Sequence, residues 1–370
     1  MQHETPAPLI LAVNPGGLST KLALFEGDQK INDVNLLHPV EKLKEFESIV
    51  DQLPFRMAAV EEFLAQARIN PRDIKAVSGR GGPFNPLRSG VYAVNEAMVK
   101  DIMTGNMQLP HASSLGPLIA DQLSRTYGMP AFMVDPVSVD EMAPWARLSG
   151  LKGLDRRCVS HALNTKYVAR KVAAMMGSSY DDLRMVVAHM GSGISVTAHL
   201  LGRMIDVNDA MNGGPFSTQR TGGLPVKDFA DLCFSGRYTH KQVISLLIKE
   251  GGVYSYLGIS DGRELVNRAT GGDAQADLVL EALCYQVAKE IGAMAATVSG
   301  KLDVIILTGG LAHSRVVTRR IVDRVKYLGP VEIFPGEFEN EALAEGALKA
   351  LAGQVAVLNY PAPPQDAQLL

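Results

Sequence analysis

One repeated pattern limits most strongly what this chain can fold into: a buried strand runs into a small glycine-bearing turn and leaves as a second strand. It occurs first at Leu9 to Phe25, where the apolar run Leu9 to Val13 predicts a fully buried strand and Pro15 to Gly17 predicts a tight turn. Backbone N–H groups in such a turn are able to face an anion. The stretch therefore predicts a strand, a loop of the size that holds a phosphate group, and another strand.

The same pattern returns 175 positions later, at Met185 to Leu200, where Gly191 corresponds to Gly16. A third version, Val304 to Ser314, carries two glycines ahead of a predicted helix. A single strand followed by such a turn is more often only a turn. Two copies in corresponding places, with a third before a helix, indicate an α/β fold with a duplicated domain that binds a nucleotide.

Composition limits the function classes. The 370 residues predict two or three domains, and 46% hydrophobic with 20% charged residues is typical of a globular enzyme. The net charge of −3 gives no reason to expect nucleic acid or an anionic membrane as a partner. The odd number of cysteines, three, all widely spaced, favours reduced thiols over disulfides or a zinc site. With no apparent secretory signal and no apolar run of membrane-spanning length, we expect a cytoplasmic location.

Local patterns predict the other elements that bear on the site. Helical spacing predicts helices at Met57 to Arg68, Asp228 to Glu250 and Asp273 to Ser299, the last with an apolar core-facing side that includes Leu278. The loop Asn208 to Pro225 is long and rich in glycine and polar residues, and the arginine within it favours a functional loop. The Pro-rich end, 361–370, is expected to be mobile.

Cationic and imidazole side chains outnumber carboxylates at the predicted strand ends. They are Lys21, Arg80, Arg157, Arg220, His111, His161 and His189, against Asp135, Asp209 and Glu341. This balance suits phosphoryl transfer, which needs positioning and positive charge around the phosphoryl oxygens, with Mg²⁺ bridging phosphates. Taken singly, each side chain also has a structural interpretation, as a cap, a loop brace or a solvent-facing group. The sequence has no P-loop, three-glycine dinucleotide motif, H-E-x-x-H or G-x-S-x-G.

Taken together, these motifs resemble those of butyrate kinases, within the acetate kinase group of the actin, Hsp70 and sugar kinase superfamily. The likeness covers about Leu9 to Tyr360. It is carried by N-P-G-x-x-S-T-K (Asn14 to Lys21), G-R-G-G-P (Gly79 to Pro83), R-R-x-x-x-H-A-L-N (Arg156 to Asn164), H-M-G-S-G-I-S (His189 to Ser195), N-G-G-P-F-S-T-Q-R-T-G-G-L-P (Asn212 to Pro225) and L-T-G-G-L-A-H-S (Leu307 to Ser314).

The resemblance implies an α/β fold of two duplicated ribonuclease-H-like domains with a central nucleotide cleft, as in actin-like ATPases. It implies an N-terminal acyl and phosphate domain at 1–158 and a nucleotide-binding domain at 159–344, with a C-terminal helix at about 345–370 packing back on the first. The implied reaction is direct in-line transfer from ATP to a short-chain carboxylate, giving ADP and an acyl phosphate. No general base is needed, because a carboxylate is already ionised at pH 7.

The resemblance also implies residue roles. Arg80 and Arg220 would clamp the acid and the migrating phosphoryl group, and His161 would stabilise the transition state. The expected ATP/ADP contacts are Asn14, Gly16, Ser19, Lys21, His189, Gly191, Ser192, Gly193, Asp209, Gly309, Gly310 and Leu311. The expected acid contacts are Arg80, His111, Ser160 and Arg220, and Asp135 and Glu341 would position Mg²⁺.

Three positions depart from the family pattern. Gly17 stands where a serine is expected, and Ser192 stands where acetate kinases have asparagine and butyrate kinases commonly have glycine. Ser160 replaces an aromatic residue that lines the acyl pocket of relatives, so we expect a wider pocket that accepts longer or branched acids.

The expected function is therefore a butyrate kinase that works as a homodimer or higher homo-oligomer, without nucleic acid or membrane partners. The alternatives are a branched-chain fatty acid, propionate or acetate kinase. An alternative of another class is a catalytically silent nucleotide-binding protein of the same fold.

Overall fold

The computed structural model describes residues 7–362, which contain twelve strands. In chain order they are β1 (Leu9–Pro15), β2 (Ser19–Glu26), β3 (Gln29–Leu37), β4 (Ile74–Arg80), β5 (Val91–Ala93), β6 (Ala131–Val134), β7 (Arg184–Met190), β8 (Ile194–Leu200), β9 (Arg203–Val207), β10 (Val304–Gly309), β11 (Val331–Pro335) and β12 (Val357–Asn359). The predicted mobile tail lies, from residue 363 onward, outside the described residues.

The same part of the chain forms thirteen α-helices. They are α1 (Val40–Leu43), α2 (Leu53–Gln66), α3 (Glu96–Thr104), α4 (Leu115–Tyr127), α5 (Pro144–Arg147), α6 (Ala162–Met175), α7 (Val226–Cys233), α8 (His240–Ile248), α9 (Gly252–Leu257), α10 (Gly262–Thr270), α11 (Ala274–Thr297), α12 (Arg315–Val325) and α13 (Glu339–Leu351). No helix between residues 7 and 362 combines the length and hydropathy that a membrane span requires.

The described residues divide into two compact units, each built around one sheet. Residues 7–140 and 338–362 form the first unit, whose seven strands lie in the order β12-β5-β6-β4-β1-β2-β3. Residues 141–337 form the second unit, whose five strands lie in the order β11-β10-β7-β8-β9. In the first unit α13 packs against β1 and β4, so the C-terminal part of the chain belongs to the N-terminal sheet.

The two sheets share one hairpin pattern. β1 and β7 are each seven residues long and are separated by the 175 positions that relate the two glycine loops in sequence. Each is followed by an antiparallel partner, β2 or β8, and each has a parallel neighbour, β4 or β10. Apolar runs fill both strands because both are buried on two faces. The predicted strands and the duplication are confirmed.

Two predictions about helices are wrong. The single helix expected at Asp228 to Glu250 is two helices, α7 and α8, because Gly236 adopts a φ of +73° and Thr239 starts α8 with a capping box to Gln242. In α11, Leu278 is 69% exposed and is not a core residue, whereas Leu280, Leu283 and Val287 of the same helix are buried. The buried side chains of α11 pack across β7 and β8.

Candidate active site

The first glycine loop joins β1 to β2 in the first unit. The hairpin register places Asn14 opposite Lys21, and the Gly16 N–H donates to the Ser19 carbonyl at 2.7 Å. Asn14 is buried, whereas Gly17 is exposed. The strand pairing therefore brings four of the predicted phosphate-loop residues together around one exposed turn.

Arg80 reaches the same hairpin from the end of β4. β4 runs parallel to β1, and Arg80 Nη1 donates to Asn14 Oδ1 at 3.1 Å. A Cβ atom on Gly116 of α4 would lie 2.4 Å from the Arg80 carbonyl oxygen, so only glycine lets α4 approach this strand end. Arg80 Nε is buried and has no hydrogen-bond partner within residues 7–362. The Arg80 Nε–H is thus a donor that no residue between 7 and 362 satisfies.

The remaining predicted residues of the first unit are engaged in local structure. His111 caps the 3-10 turn Ala112–Ser114: its Nδ1 accepts from the Ser113 N–H at 3.2 Å, which places the proton of the neutral ring on Nε2. Asp135 Oδ1 accepts from Ser89 Oγ at 2.6 Å and from the Gly90 N–H at 2.9 Å. Glu341 pairs with Lys30 at 3.3 Å.

The second glycine loop joins β7 to β8 in the second unit, and two stacked histidines adjoin it. The Gly191 N–H donates to the Gly193 carbonyl at 3.1 Å. The rings of His161 and His189 lie 4.2 Å apart at 19°. Asn164 Nδ2 donates to His189 Nδ1 at 2.7 Å, so the neutral His189 ring carries its proton on Nε2. His161 Nδ1 lies 2.8 Å from Ser195 Oγ. The two rings are therefore fixed by neighbours.

Arg220 lies directly over this loop. A Cβ atom on Gly193 would be 2.5 Å from Arg220 Nη1, so the guanidinium occupies the space that any other residue at 193 would need. The Ser217 hydroxyl links the loop to Arg220. Its Oγ donates to the Ser192 carbonyl at 2.6 Å and accepts from the Arg220 N–H at 3.2 Å. Burial lowers the pKa of Arg220, and Asp209 opposes that shift. An arginine remains protonated at neutral pH, so the loop carries a positive charge.

Two further predicted residues of the second unit, Asp209 and Ser160, are buried and contact neighbouring protein groups. Asp209 Oδ1 accepts from the Met211 N–H at 2.9 Å and Oδ2 accepts from Asn212 Nδ2 at 2.6 Å, so its oxygens hold its own loop. Ser160 is 4% exposed, and its hydroxyl faces the Met204 sulfur at 3.7 Å.

A cavity of about 640 Å³ in the second unit adjoins the loop. Four predicted nucleotide contacts line it, together with seven residues that are not among the predicted contacts. The predicted ones are Gly191, Ser192, Gly310 and Leu311, and the others are Thr218, Ser260, Asp261, Gly262, Arg263, His313 and Glu337. Gly309 ends β10, one residue before this lining.

Two of the unpredicted residues form an exposed ion pair at the start of α10. Asp261 caps the helix by accepting from the Arg263 N–H at 2.8 Å, and it also pairs with the Arg263 guanidinium at 3.1 Å. The segment S-D-G-R-E carries the signal of a helix start, with an N-cap aspartate and a glutamate three residues later, and that signal was missed.

A comparison with protein families decides the wider relationship. The sequence model of the acetokinase family matches residues 150–347, which are more than half of the chain. The chain belongs to the acetokinase family. Family membership supports phosphorylation of a short-chain carboxylate with ATP.

Solved structures of acetokinases share the fold. The acetate kinase of Porphyromonas gingivalis superposes with a TM-score of 0.74 at 19% identity, covering 94% of this chain and 100% of that one. A propionate kinase from Francisella tularensis gives 0.72 at 17% identity, covering 92% and 98%. The acetate kinase of Entamoeba histolytica gives 0.68 at 16% identity, covering 86% and 87%. The expected actin-like ATPase fold, with one ribonuclease-H-like sheet in each unit, is confirmed.

The cavity of this acetokinase includes one polar side chain that lacks a hydrogen-bond partner among the described residues. Thr218 Oγ1 is buried and has no hydrogen-bond partner within residues 7–362, and Thr218 lines the cavity. A bound polar ligand would satisfy that oxygen. For Mg²⁺, the described residues contain no group of three or more His, Cys, Asp or Glu side chains that would hold a metal. Mg²⁺ is commonly held by one or two carboxylates together with substrate phosphates, so the roles of Asp135 and Glu341 stay predictions.

Proposed function

We propose that this acetokinase phosphorylates butyrate and related short-chain fatty acids with ATP, reversibly, giving an acyl phosphate and ADP. The observation that carries the proposal is the Arg220 guanidinium, held over Gly193 at a glycine loop beside a cavity of about 640 Å³. A nucleotide sensor would need the cavity but would not need a half-buried, braced arginine at the loop. An enzyme that transfers a phosphoryl group gains from positive charge that is held in place beside the migrating group.

The proposed chemistry uses charges that are already in place. A carboxylate oxygen of the acid attacks the terminal phosphorus of ATP, and the bond from that phosphorus to the bridging oxygen breaks, leaving its electron pair on ADP. Arg80 and Arg220 are assigned to the acid and the migrating phosphoryl group, and His161 to the charge that develops between them. Mg²⁺, when bound with the nucleotide, would neutralise phosphate charge. Each protein group here is fixed by a neighbour, which lowers the cost of reorganisation.

Substrate size is assigned through Ser160. Its side chain is small and buried against Met204, at the position where relatives carry an aromatic residue. We propose that the missing aromatic side chain gives room for branched and longer acids. Apolar pockets discriminate by about 1–3 kcal/mol per methylene, so the specificity is expected to be broad. Comparing kcat/KM for acetate, propionate, butyrate, isobutyrate, isovalerate and hexanoate tests this, and a sharp optimum at acetate would refute it.

The experiment that tests the function is a hydroxamate assay of acyl phosphate with ATP, Mg²⁺ and this panel of acids. Arg220→Ala is assayed beside Arg319→Ala, a control arginine of the same unit with an 85% exposed side chain. The parent and the control are expected to form acyl phosphate at similar rates, and Arg220→Ala is expected to lose about 100-fold or more in kcat. No product with any acid, together with retained nucleotide binding, would favour the catalytically silent protein.

Whether the two arginines serve one phosphoryl group is a separate question. A double-mutant cycle of Arg80→Ala and Arg220→Ala answers it, because residues that act on the same group are strongly non-additive. Losses in kcat that simply multiply would contradict the shared role.

A homo-oligomer is also part of the proposal. α7 has no buried side chain, and Val226 and Phe234, at its two ends, are 81% and 92% exposed. Exposed apolar side chains of this kind are common at protein interfaces, which supports a second copy as their cover. Sedimentation of the parent and of Phe234→Glu tests this, and a monomeric parent would refute it.

A further inference from the structure

A buried arginine lies beneath the first glycine loop and has no part in the function proposed so far. Arg56, on α2, is 0% exposed. Its guanidinium donates to the carbonyls of Ser19 at 2.9 Å and Gly17 at 3.4 Å, to Thr20 Oγ1 at 3.0 Å, and twice to Gln52 Oε1. All of these acceptors are neutral. No carboxylate among residues 7–362 pairs with Arg56.

This arrangement is costly in free energy. Removing an ion from water is far more expensive than burying a neutral side chain, and a buried cation is normally offset by a carboxylate. The side chain nevertheless keeps its proton at neutral pH, because burial lowers the pKa of Arg56 only to about 10. The retained charge therefore indicates a use beyond packing.

Peptide geometry shows what the guanidinium does to the loop. In a planar trans peptide the carbonyl and the following N–H point in opposite directions. Because Arg56 holds the Gly17 carbonyl inward, the Leu18 N–H points away from Arg56. Leu18 is 59% exposed, and its N–H donates to no acceptor within the described residues. An outward, unsatisfied N–H beside a buried positive charge is an arrangement that binds anions.

His38 completes the support. Its N–H donates to the Leu18 carbonyl at 2.8 Å, and its Nε2 lies 2.8 Å from Thr20 Oγ1. Since Thr20 Oγ1 already accepts from Arg56, its own proton is available to donate to Nε2, which suits a neutral ring. Burial, and then Arg56, lower the pKa of His38, so the histidine does not add a second charge.

We propose that Arg56 is a positioning residue for phosphate binding: it holds the Gly17 and Ser19 carbonyls inward, turns the Leu18 N–H outward, and places a positive charge behind the loop. The ligand is a phosphoryl group of a nucleotide or acyl phosphate. The role in catalysis rests on the proposed function, whereas the role in anion binding does not.

The test compares Arg56→Gln and Arg56→Lys with a matched structural variant, Tyr360→Phe. Tyr360 belongs to the same unit and donates a partly buried hydrogen bond to Asp101 at 2.7 Å. All three variants are expected to lower the melting temperature. At a temperature where every protein is folded, Arg56→Gln is expected to lower kcat/KM for ATP by about 10- to 100-fold, with KM for the acid unchanged. Tyr360→Phe is expected to stay within about twofold of the parent.

Arg56→Lys separates charge from geometry. It keeps the charge but not the planar fork, so we expect it to recover only part of the loss. If Arg56→Gln does not fold, the kinetic comparison is made with Arg56→Lys alone. Equal kcat/KM for the parent and both Arg56 variants would overturn the proposal, since a purely structural arginine would change only the melting temperature.

A second readout does not depend on turnover. The ¹⁵N amide signal of Leu18, assigned by its loss in Leu18→Met, is followed while inorganic phosphate or a non-hydrolysable ATP analogue is added. We expect the signal to shift in the parent and in Tyr360→Phe, and to shift much less in Arg56→Gln. An unshifted parent signal, or equal shifts in Arg56→Gln, would overturn the proposal. If no acid is phosphorylated, the proposed function fails and this titration still decides the role of Arg56.

Discussion

The two glycine hairpins have the same outline and different supports. Each has a buried strand, a turn closed by a glycine N–H, and a hydroxyl residue after the turn that contacts a histidine. The hydroxyl is Thr20 in the first hairpin, 2.8 Å from His38, and Ser195 in the second, 2.8 Å from His161. These two hydroxyl residues are 175 positions apart, as the strands are. Matching positions therefore keep matching local contacts.

The difference lies in what holds each turn. In the first, a buried guanidinium with only neutral acceptors binds two carbonyls from beneath. In the second, the Ser217 hydroxyl binds the Ser192 carbonyl, and the arginine lies over the turn instead of beneath it. The first turn is consequently open on its exposed side, whereas the second is crowded by Arg220. One backbone pattern thus places positive charge on opposite sides of two loops.

The largest expected effect comes from adding a methyl group to the second turn, at Gly193. In Gly193→Ala the new Cβ would meet the flexible end of Arg220 at 2.5 Å, so the guanidinium must move while the fold has little reason to change. We expect kcat/KM to fall on the order of 100-fold with the melting temperature nearly unchanged. Gly17→Ala meets nothing within 4 Å and is the matched control, expected to stay within about twofold.

A large loss in Gly17→Ala with a small loss in Gly193→Ala would contradict the assignment of the crowded turn to Arg220. Equal losses in kcat/KM for the two variants would show that the ligand needs a glycine, without a side chain, in both turns. Steady-state kinetics beside thermal unfolding separates these outcomes.

A smaller effect is expected from the brace of the second turn. Ser217→Ala removes the hydroxyl that binds the Ser192 carbonyl and the Arg220 N–H. A hydrogen bond of this kind is worth about 1 kcal/mol, so we expect kcat/KM to fall by about fivefold to tenfold. Ser217→Thr keeps the hydroxyl and is the control. A loss shared by both variants would point to crowding at this position instead of a missing hydroxyl.

The contrast between the hairpins also shows what was predictable from sequence. Their strands are local patterns: the apolar runs at Leu9 to Val13 and in β7, and the glycine turns after them, predict the hairpins directly. The support of the first turn is not local, because Arg56 lies 36 and 37 residues from the groups it binds in β2. The predicted helix begins only at Met57, so Arg56 lies outside it and no local pattern marks it as buried. Only the packing of α2 on the hairpin reveals its use.

The cavity was partly predictable for the same reason. Gly191, Ser192, Gly310 and Leu311 belong to glycine turns and were expected at a ligand. Asp261 and Arg263 lie outside every predicted element, although the helix-start signal of their segment is plain. Their place beside the turns depends on how α10 packs on the sheet of the second unit, which no local pattern specifies.

The two hairpins also differ in how their second strands make the stability of the fold depend on pH. His199 in β8 corresponds to Leu24 in β2, and both are fully buried. Burial, and then Lys166 and Arg170, hold the pKa of His199 well below 6.5. Between the folded and unfolded pKa values the unfolded chain binds more protons, so this stability is full above pH 6.5 and is lost as the pH falls below it.

We therefore expect the free energy of unfolding to fall by up to about 1.4 kcal/mol per pH unit below pH 6.5 through this one group. Urea unfolding of the parent and of His199→Gln at pH 7.5, 6.5 and 5.5 measures it. His199→Gln should show a weaker dependence, with His38 supplying part of what remains, since its pKa is also lowered. Identical slopes would remove His199 as the cause.

The smallest expected effect tests whether the open first turn is incomplete. Gly17 stands where the family resemblance leads us to expect serine, and a Cβ there would meet nothing within 4 Å. Gly17→Ser would add a hydroxyl on the exposed side, opposite Arg56, without moving the backbone that Arg56 holds. A hydroxyl that reaches a phosphate oxygen from a solvated position gains little, so we expect KM for ATP to fall by about twofold to threefold with kcat unchanged. Gly17→Ala, with the same Cβ and no hydroxyl, is the control. If Gly17→Ser raises KM where Gly17→Ala does not, the hydroxyl competes with the Leu18 N–H for the same ligand, and the turn with bare glycine is the complete form in this chain.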